Sequence, residues 1–195
     1  MDEDELDALI EKTKQYSGKD SLSPDEYYRI KQLLNDPDQL NRISTSSVSY
    51  LILGNYDDEG DFSKKDRLKL VRLSLNERDP GAYAFLMEEI DEAWGNEFIT
   101  KFRILSDRVD YIVGVFEDDA GGHANESGIV VTELYRSRTF VLKREYETKE
   151  EERAAYNAMQ ANIFAILDRT GGLALWTDRF ELVEEAKNLP TEPAE

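Results

Sequence analysis

The sequence predicts an α/β fold, a flavodoxin-like three-layer sandwich of about five mostly parallel strands behind an N-terminal helical extension. Two observations predict it. Short apolar runs rich in strand formers (VSYLIL, AYAFLM, YIVGVF, TFVL and LALW) recur along the chain. Segments with helical spacing, about ten residues or longer, separate them, and such connections require right-handed crossovers between parallel strands.

The elements follow in order. Residues 1–18 read as a short acidic helix, with Leu6, Leu9, Ile10 and Thr13 at helical spacing and Ser17-Gly18 as the stop. A second helix starts at Ser23, a natural N-cap, with Pro24 at the first helical position and Glu26 completing a capping box. Leu22 and Tyr27 are placed for a hydrophobic staple, and the helix should stop before Asp36-Pro37. Residues 1–43 thus form a helical extension that can dock on the main domain or make a homodimer contact.

The main domain is expected over 44–190. Residues 48–53 form a strand buried on both faces, ending at Gly54, Asn55 and Tyr56 and three further acids. A helix over 63–78 follows, capped by Ser63, and then the turn Asp79-Pro80-Gly81. A second strand covers 82–87, a helix 96–108 and a third strand 110–116. A helix or helical turn should begin after Glu126 and carry residues 129–134. The fourth strand spans 139–142, one long helix 149–168, and Gly171-Gly172 ends it. The fifth strand is 173–176, and Thr177 or Asp178 caps a last helix. Residues 189–195 should fray, with 191–195 as a flexible tail. The economical strand order is 2-1-3-4-5, which puts the switch point between the first and third strands.

Composition limits the partners. There are 42 acids against 24 bases, a formal net charge of −18 spread over the whole length. That suggests adaptation to high salt, as in a haloarchaeon, because screening suppresses self-repulsion. It disfavours nucleic acid, since no basic stripe is dense enough to neutralise several phosphates. The one basic cluster, Arg136, Arg138, Lys143 and Arg144, reads as solvated surface. With no cysteine and the single histidine His123, thiolate chemistry, zinc-thiolate sites and multi-histidine metal sites are excluded. No run reaches membrane-span length and the start MDEDEL is unlike a signal peptide, so a soluble, cytoplasmic protein is expected, without membrane partners. No cofactor is expected: there is no Walker loop and no G-x-G-x-x-G after the first strand.

The site candidates gather after the third strand, where Glu117, Asp118 and Asp119 run into Gly121 and Gly122 and then Glu126. Glu126 can serve as a carboxylate nucleophile or general base, or be one more acid at a helix N-terminus. Asp118 or Asp119 can hold a ribose hydroxyl or tune Glu126, or simply keep a loop soluble. Gly121 and Gly122 allow backbone amides to approach a phosphate or sugar, or form a turn. His123 can transfer a proton or sit exposed in the loop. Tyr56 can stack on a base or lie on the surface. Trp176 and Phe180 read as core and cap packing.

The run D-Y-I-V-G-V-F-E-D-D followed by G-H-A-N-E-S-G resembles the nucleoside 2-deoxyribosyltransferase-like group, a relative of TIR domains. Asp110, Gly114-Val115-Phe116, Gly122, Glu126 and Gly128 match that group's pattern, Asp118 falls at its nucleoside-orienting aspartate, and L-I-L-G-N-Y is similar to its first strand with Asn55 for a proline. The likeness covers roughly residues 47–145, and the acidic composition is similar to uncharacterised haloarchaeal members. Ala124 replaces the group's second glycine, and Phe102 stands where its other acid falls. The resemblance implies a small-molecule nucleoside or nucleotide partner and an enzyme that transfers or hydrolyses the N-glycosidic bond. In it Glu126 is the nucleophile, Asp118 orients the sugar, and Gly54, Asn55 and Tyr56 contact base or sugar. Phe102 points instead to a catalytically inactive nucleotide-binding or signalling module on the same fold. A halophilic interaction protein working through its N-terminal helices is the further alternative.

Overall fold

A computed structural model of the chain describes residues 37–90, 98–118 and 133–194, together with Glu11, Ser23, Asp25 and Tyr28. The caps and staple expected before residue 37 fall almost wholly outside these, as does the start of the helix expected after Glu126.

Five strands form one parallel sheet: β1 (Val48–Gly54), β2 (Ala82–Leu86), β3 (Tyr111–Phe116), β4 (Thr139–Arg144) and β5 (Leu173–Trp176). Their order is β2-β1-β3-β4-β5, as the crossover argument predicts. Every residue of β1 and β3 is buried, as central strands covered on both faces must be. Among the described residues these helices accompany them: α1 (Pro37–Thr45), α2 (Lys64–Arg78), α3 (Phe98–Ser106), α4 (Glu133–Arg136), α5 (Lys149–Ala155), α6 (Ala158–Thr170) and α7 (Arg179–Lys187).

Alternation along the strands sorts the core into two layers. Tyr50, Ile52, Tyr111, Val113, Val115 and Leu142 meet Leu68, Val71 and Leu75 of α2 and Leu182 and Ala186 of α7. On the other face Leu51, Leu53, Phe85 and Ile112 meet Ile43 of α1, Phe102 and Leu105 of α3 and Tyr135 of α4. Further along that face Phe116 and Val141 pack on Tyr156 and on Ile163, Phe164 and Leu167 of α6. At the amino end of the sheet Asp110 Oδ2 accepts from both the backbone N–H and the hydroxyl of Ser49, at 2.8 Å each. Asp110 therefore stitches β3 to β1, at the opposite end from Asp118.

Three expectations are corrected. The segment 149–168 is two helices, α5 and α6, broken at Tyr156 and Asn157, both extended. Tyr156 turns inward so that its hydroxyl is shared by the carbonyls of Arg144 (2.9 Å) and Phe116 (3.1 Å), and Asn157 restarts the helix through a capping box with Gln160. Phe180 does not pack against the cap: it is 69% exposed while Asp178 alone caps α7, accepting from the amides of Phe180 and Glu181. Residues 189–192 of the segment expected to fray are tied down. Leu189 is buried, Pro190 O accepts from Tyr50 and from Arg78 (3.2 Å), and Glu192 O accepts from Tyr111 Oη at 2.9 Å. Gly171 ends α6 as expected, in the left-handed region at φ 74°.

Candidate functional site

The carboxyl ends of β1, β3 and β4 lie side by side, and their polar groups converge there. Of the residues singled out from the sequence, Asp118, Gly54, Asn55 and Tyr56 are described. Glu126, Asp119, Gly121, Gly122 and His123 lie outside the described residues.

The first βα loop is bound into the fold. Gly54 pairs with Val115 across the β1–β3 ladder, and a Cβ there would sit 2.4 Å from Leu68 Cδ2 and 3.0 Å from Val115 O. The glycine lets α2 approach the sheet. Asn55 Oδ1 accepts from the Asp57 amide at 3.0 Å, Asp57 Oδ1 from the Glu59 amide at 3.1 Å, and Asp57 O from the Lys65 amide at 3.0 Å. These Asx turns fold the loop back onto the start of α2. The Tyr56 ring packs against the core layer beneath α2.

Across the ladder, β3 runs directly into Glu117 and Asp118. Glu117 is 7% exposed and, among the described residues, is the one buried carboxylate. Arg67 Nη1, from the first turn of α2, stands 3.0 Å from its Oε2 and 3.2 Å from its Oε1. Arg144 Nη1, at the end of β4, stands 3.6 Å from Oε2. Burial pushes the Glu117 carboxyl above its ordinary 4.5, against the pull of Arg67, Arg144 and Lys64. Asp118 is 30% exposed and accepts from Lys64 Nζ at 2.5 Å, while its carbonyl accepts from Gln160 Nε2 at 3.3 Å. The Tyr146 hydroxyl donates to Glu117 O, and burial raises its pKa. The Arg144 guanidinium lies over the rings of Tyr146 (5.3 Å) and Trp176 (5.8 Å). Burial raises the Tyr156 phenol too.

The basic cluster expected to be solvated is thus split. Lys143 is buried, its ammonium on Glu152 and over the rings of Tyr156 and Phe164, and Arg144 joins the site. Strand β4 runs two residues past the apolar stretch TFVL, which carries both cations to the carboxyl end of the sheet. Lys64, Arg67, Glu117, Arg144 and Tyr146 were not singled out from the sequence as site residues. The available signal was position: each lies within a few residues of a strand's carboxyl end or of the helix after it. Phe102 is fully buried, edge-on to Tyr135 at 6.3 Å, and is a core residue. Among the described residues no group of three His, Cys, Asp or Glu could hold a metal ion, and no helix is long and apolar enough to cross a membrane.

Sheet order and site position define a Rossmann-like α/β domain with a charged cluster at the switch point of its parallel sheet. The chain belongs to a family of unknown function (DUF8170), whose profile matches residues 13–168. It is similar to the crystal structure of a conserved protein from Enterococcus faecalis V583, at TM-score 0.50 and 12% identity over 73% of this chain and 99% of that one. At that identity the likeness speaks for the fold alone. No curated protein matches the chain.

Proposed function

We propose that the chain is a binding or signalling module for a nucleoside or nucleotide, seated at the carboxyl ends of β1 and β3. The observation that carries this reading is the convergence of Lys64, Arg67 and Arg144 on Glu117 and Asp118 at the switch point. In a chain of net charge −18, three cations gathered at one end of the sheet favour an anionic or polar small molecule. The likeness of residues 110–128 to the nucleoside deoxyribosyltransferase-like group supports a nucleoside as that molecule. Phe102, buried where that group's second acid falls and without a proton to exchange, supports binding without turnover.

The second reading is an enzyme of the N-glycosidic bond, with Glu126 as nucleophile and Asp118 orienting the sugar. What favours it is Asp118 itself, 30% exposed two residues past the end of β3, one strand over from the Gly54 end of β1.

The test is to incubate the full chain, in high salt, with nucleosides, nucleotides and NAD, following thermal midpoint and free base together. The expected outcome is a rise in midpoint with at least one ligand, worth about 2.7 kcal/mol at a hundred times its Kd, and no free base. Release of base by the wild type but not by Glu126→Gln moves the assignment to the second reading. No shift with any ligand sinks the binding reading.

A further inference from the structure

The proposed ligand site has an internal anion where a ligand's phosphate would sit. We propose that Arg67, Arg144 and Lys64 form a phosphate-recognition site whose place is held by the Glu117 carboxylate, so that the ligand is a phosphorylated nucleoside and not the bare nucleoside. This rests on the nucleotide reading above.

Four observations carry it. The cations come from two separate elements, Lys64 and Arg67 from the first turns of α2 and Arg144 from the end of β4, and aim at one point beyond β3. Three cations face two carboxylates there. Arg144 is under-used: among the described residues its nearest carboxylate oxygen is 3.6 Å away, beyond hydrogen-bond length, while Tyr146 and Trp176 fix its plane and leave it 37% exposed. Among the described residues Arg67 engages Glu117 through Nη1, which leaves the rest of its five-donor fork for a bidentate acceptor.

The fourth observation is Glu117 itself. A carboxylate taken out of water loses hydration that two guanidiniums only partly return, one of them out of hydrogen-bond range. A phosphate ester brings more charge and three terminal oxygens, which match paired guanidiniums better. Recognition falls to these side chains because the first amides of α2 are already used: Lys65 N donates to Asp57 O and Asp66 N to Ser63 Oγ.

The experiment is calorimetric titration of the full chain with the common ribonucleosides, their 5′-monophosphates, ribose 5-phosphate and inorganic phosphate. The monophosphates are expected to bind at least about tenfold tighter than their nucleosides. Glu117→Gln, which removes the competing charge but keeps the shape, should tighten the monophosphates by about tenfold. Arg144→Gln should erase their advantage. Equal affinity for nucleoside and monophosphate overturns the proposal and leaves the nucleotide-binding reading standing, and so does a Glu117→Gln protein that binds monophosphates more weakly. Binding of inorganic phosphate and ribose 5-phosphate, with no nucleotide bound, keeps the anion site and overturns the nucleoside reading. No binding by any member overturns both. Should Glu117→Gln fail to fold, Arg144→Gln decides alone: a monophosphate preference that survives it overturns the proposal.

Discussion

Glu117 and Asp118 are chemically near-twins one residue apart, yet they live in different media. Asp118 keeps contact with water beside one lysine, while Glu117 is enclosed between two arginines. Because burial raises the Glu117 pKa above 4.5, the folded protein holds that proton more tightly than the unfolded chain. Its contribution to stability is full below 4.5 and is lost as pH climbs through the raised folded value. Denaturant midpoints of wild type and Glu117→Gln across pH 4 to 7 should show this: the wild-type curve loses ground to the variant as pH rises. Parallel curves would show that Glu117 is solvated as well in the fold as out of it. Sequence spacing brought attention to Asp118 and passed over Glu117, because one-residue alternation at a strand end decides burial only once the strand's last residue is known. The same limit applies to Tyr56 and Gly54, legible as a loop after a strand but not as groups already committed to the α2 layer.

Elements were legible where a cap or turn residue carried the signal. Ser63, Asp178 and Gly171 begin or end helices where their chemistry says they should. The α5–α6 break was missed because apolar spacing runs through it. The local signal was Asn157 with Gln160 three residues on, an N-cap pattern inside an apparently continuous helix. Asn157→Ala should therefore cost about 1 kcal/mol, against near zero for an alanine at an ordinary exposed helical position. Urea midpoints of the two variants check this, and equal midpoints would mean that Tyr156 anchoring alone sets the break. Strand β4 was read two residues short for the opposite reason. Lys143 and Arg144 break the apolar pattern, but buried rings and acids at the sheet's end take up both charges. That shortfall hid Arg144, one of the three cations of the site.

At the scale of the molecule, strand order followed from alternation and handedness alone, since a parallel sheet with right-handed crossovers leaves few arrangements. The switch point between β1 and β3 was legible from strand order, while the side chains that converge there depend on α2 and β4. Net charge makes its own prediction. Surface pairs such as Lys69 with Asp66 are each worth at most about 1 kcal/mol and weaken in salt. The surplus of acids, 42 against 24, repels itself over the whole surface and is relieved as the Debye length falls from about 10 Å at 0.1 M to about 3 Å at 1 M. The thermal midpoint should therefore rise by a few degrees between 0.1 and 1 M KCl, by roughly the 2–4 °C that 1 kcal/mol gives a domain of 150–250 residues. A midpoint that falls would mean that the specific ion pairs outweigh the surplus.

The stitch between Ser49 and Asp110 spans 61 residues of chain. During synthesis β1, α2 and β2 leave the ribosome as a local unit, and one edge of β1 finds its partner early. The other edge waits for β3. At about 5–20 residues per second the wait lasts several seconds. For that time a strand that is buried along its whole length in the finished protein presents unpaired amides and carbonyls on one side, the condition under which nascent chains pair with each other. The sheet's central seam, the most protected place in the finished protein, is the part most exposed while it is being made.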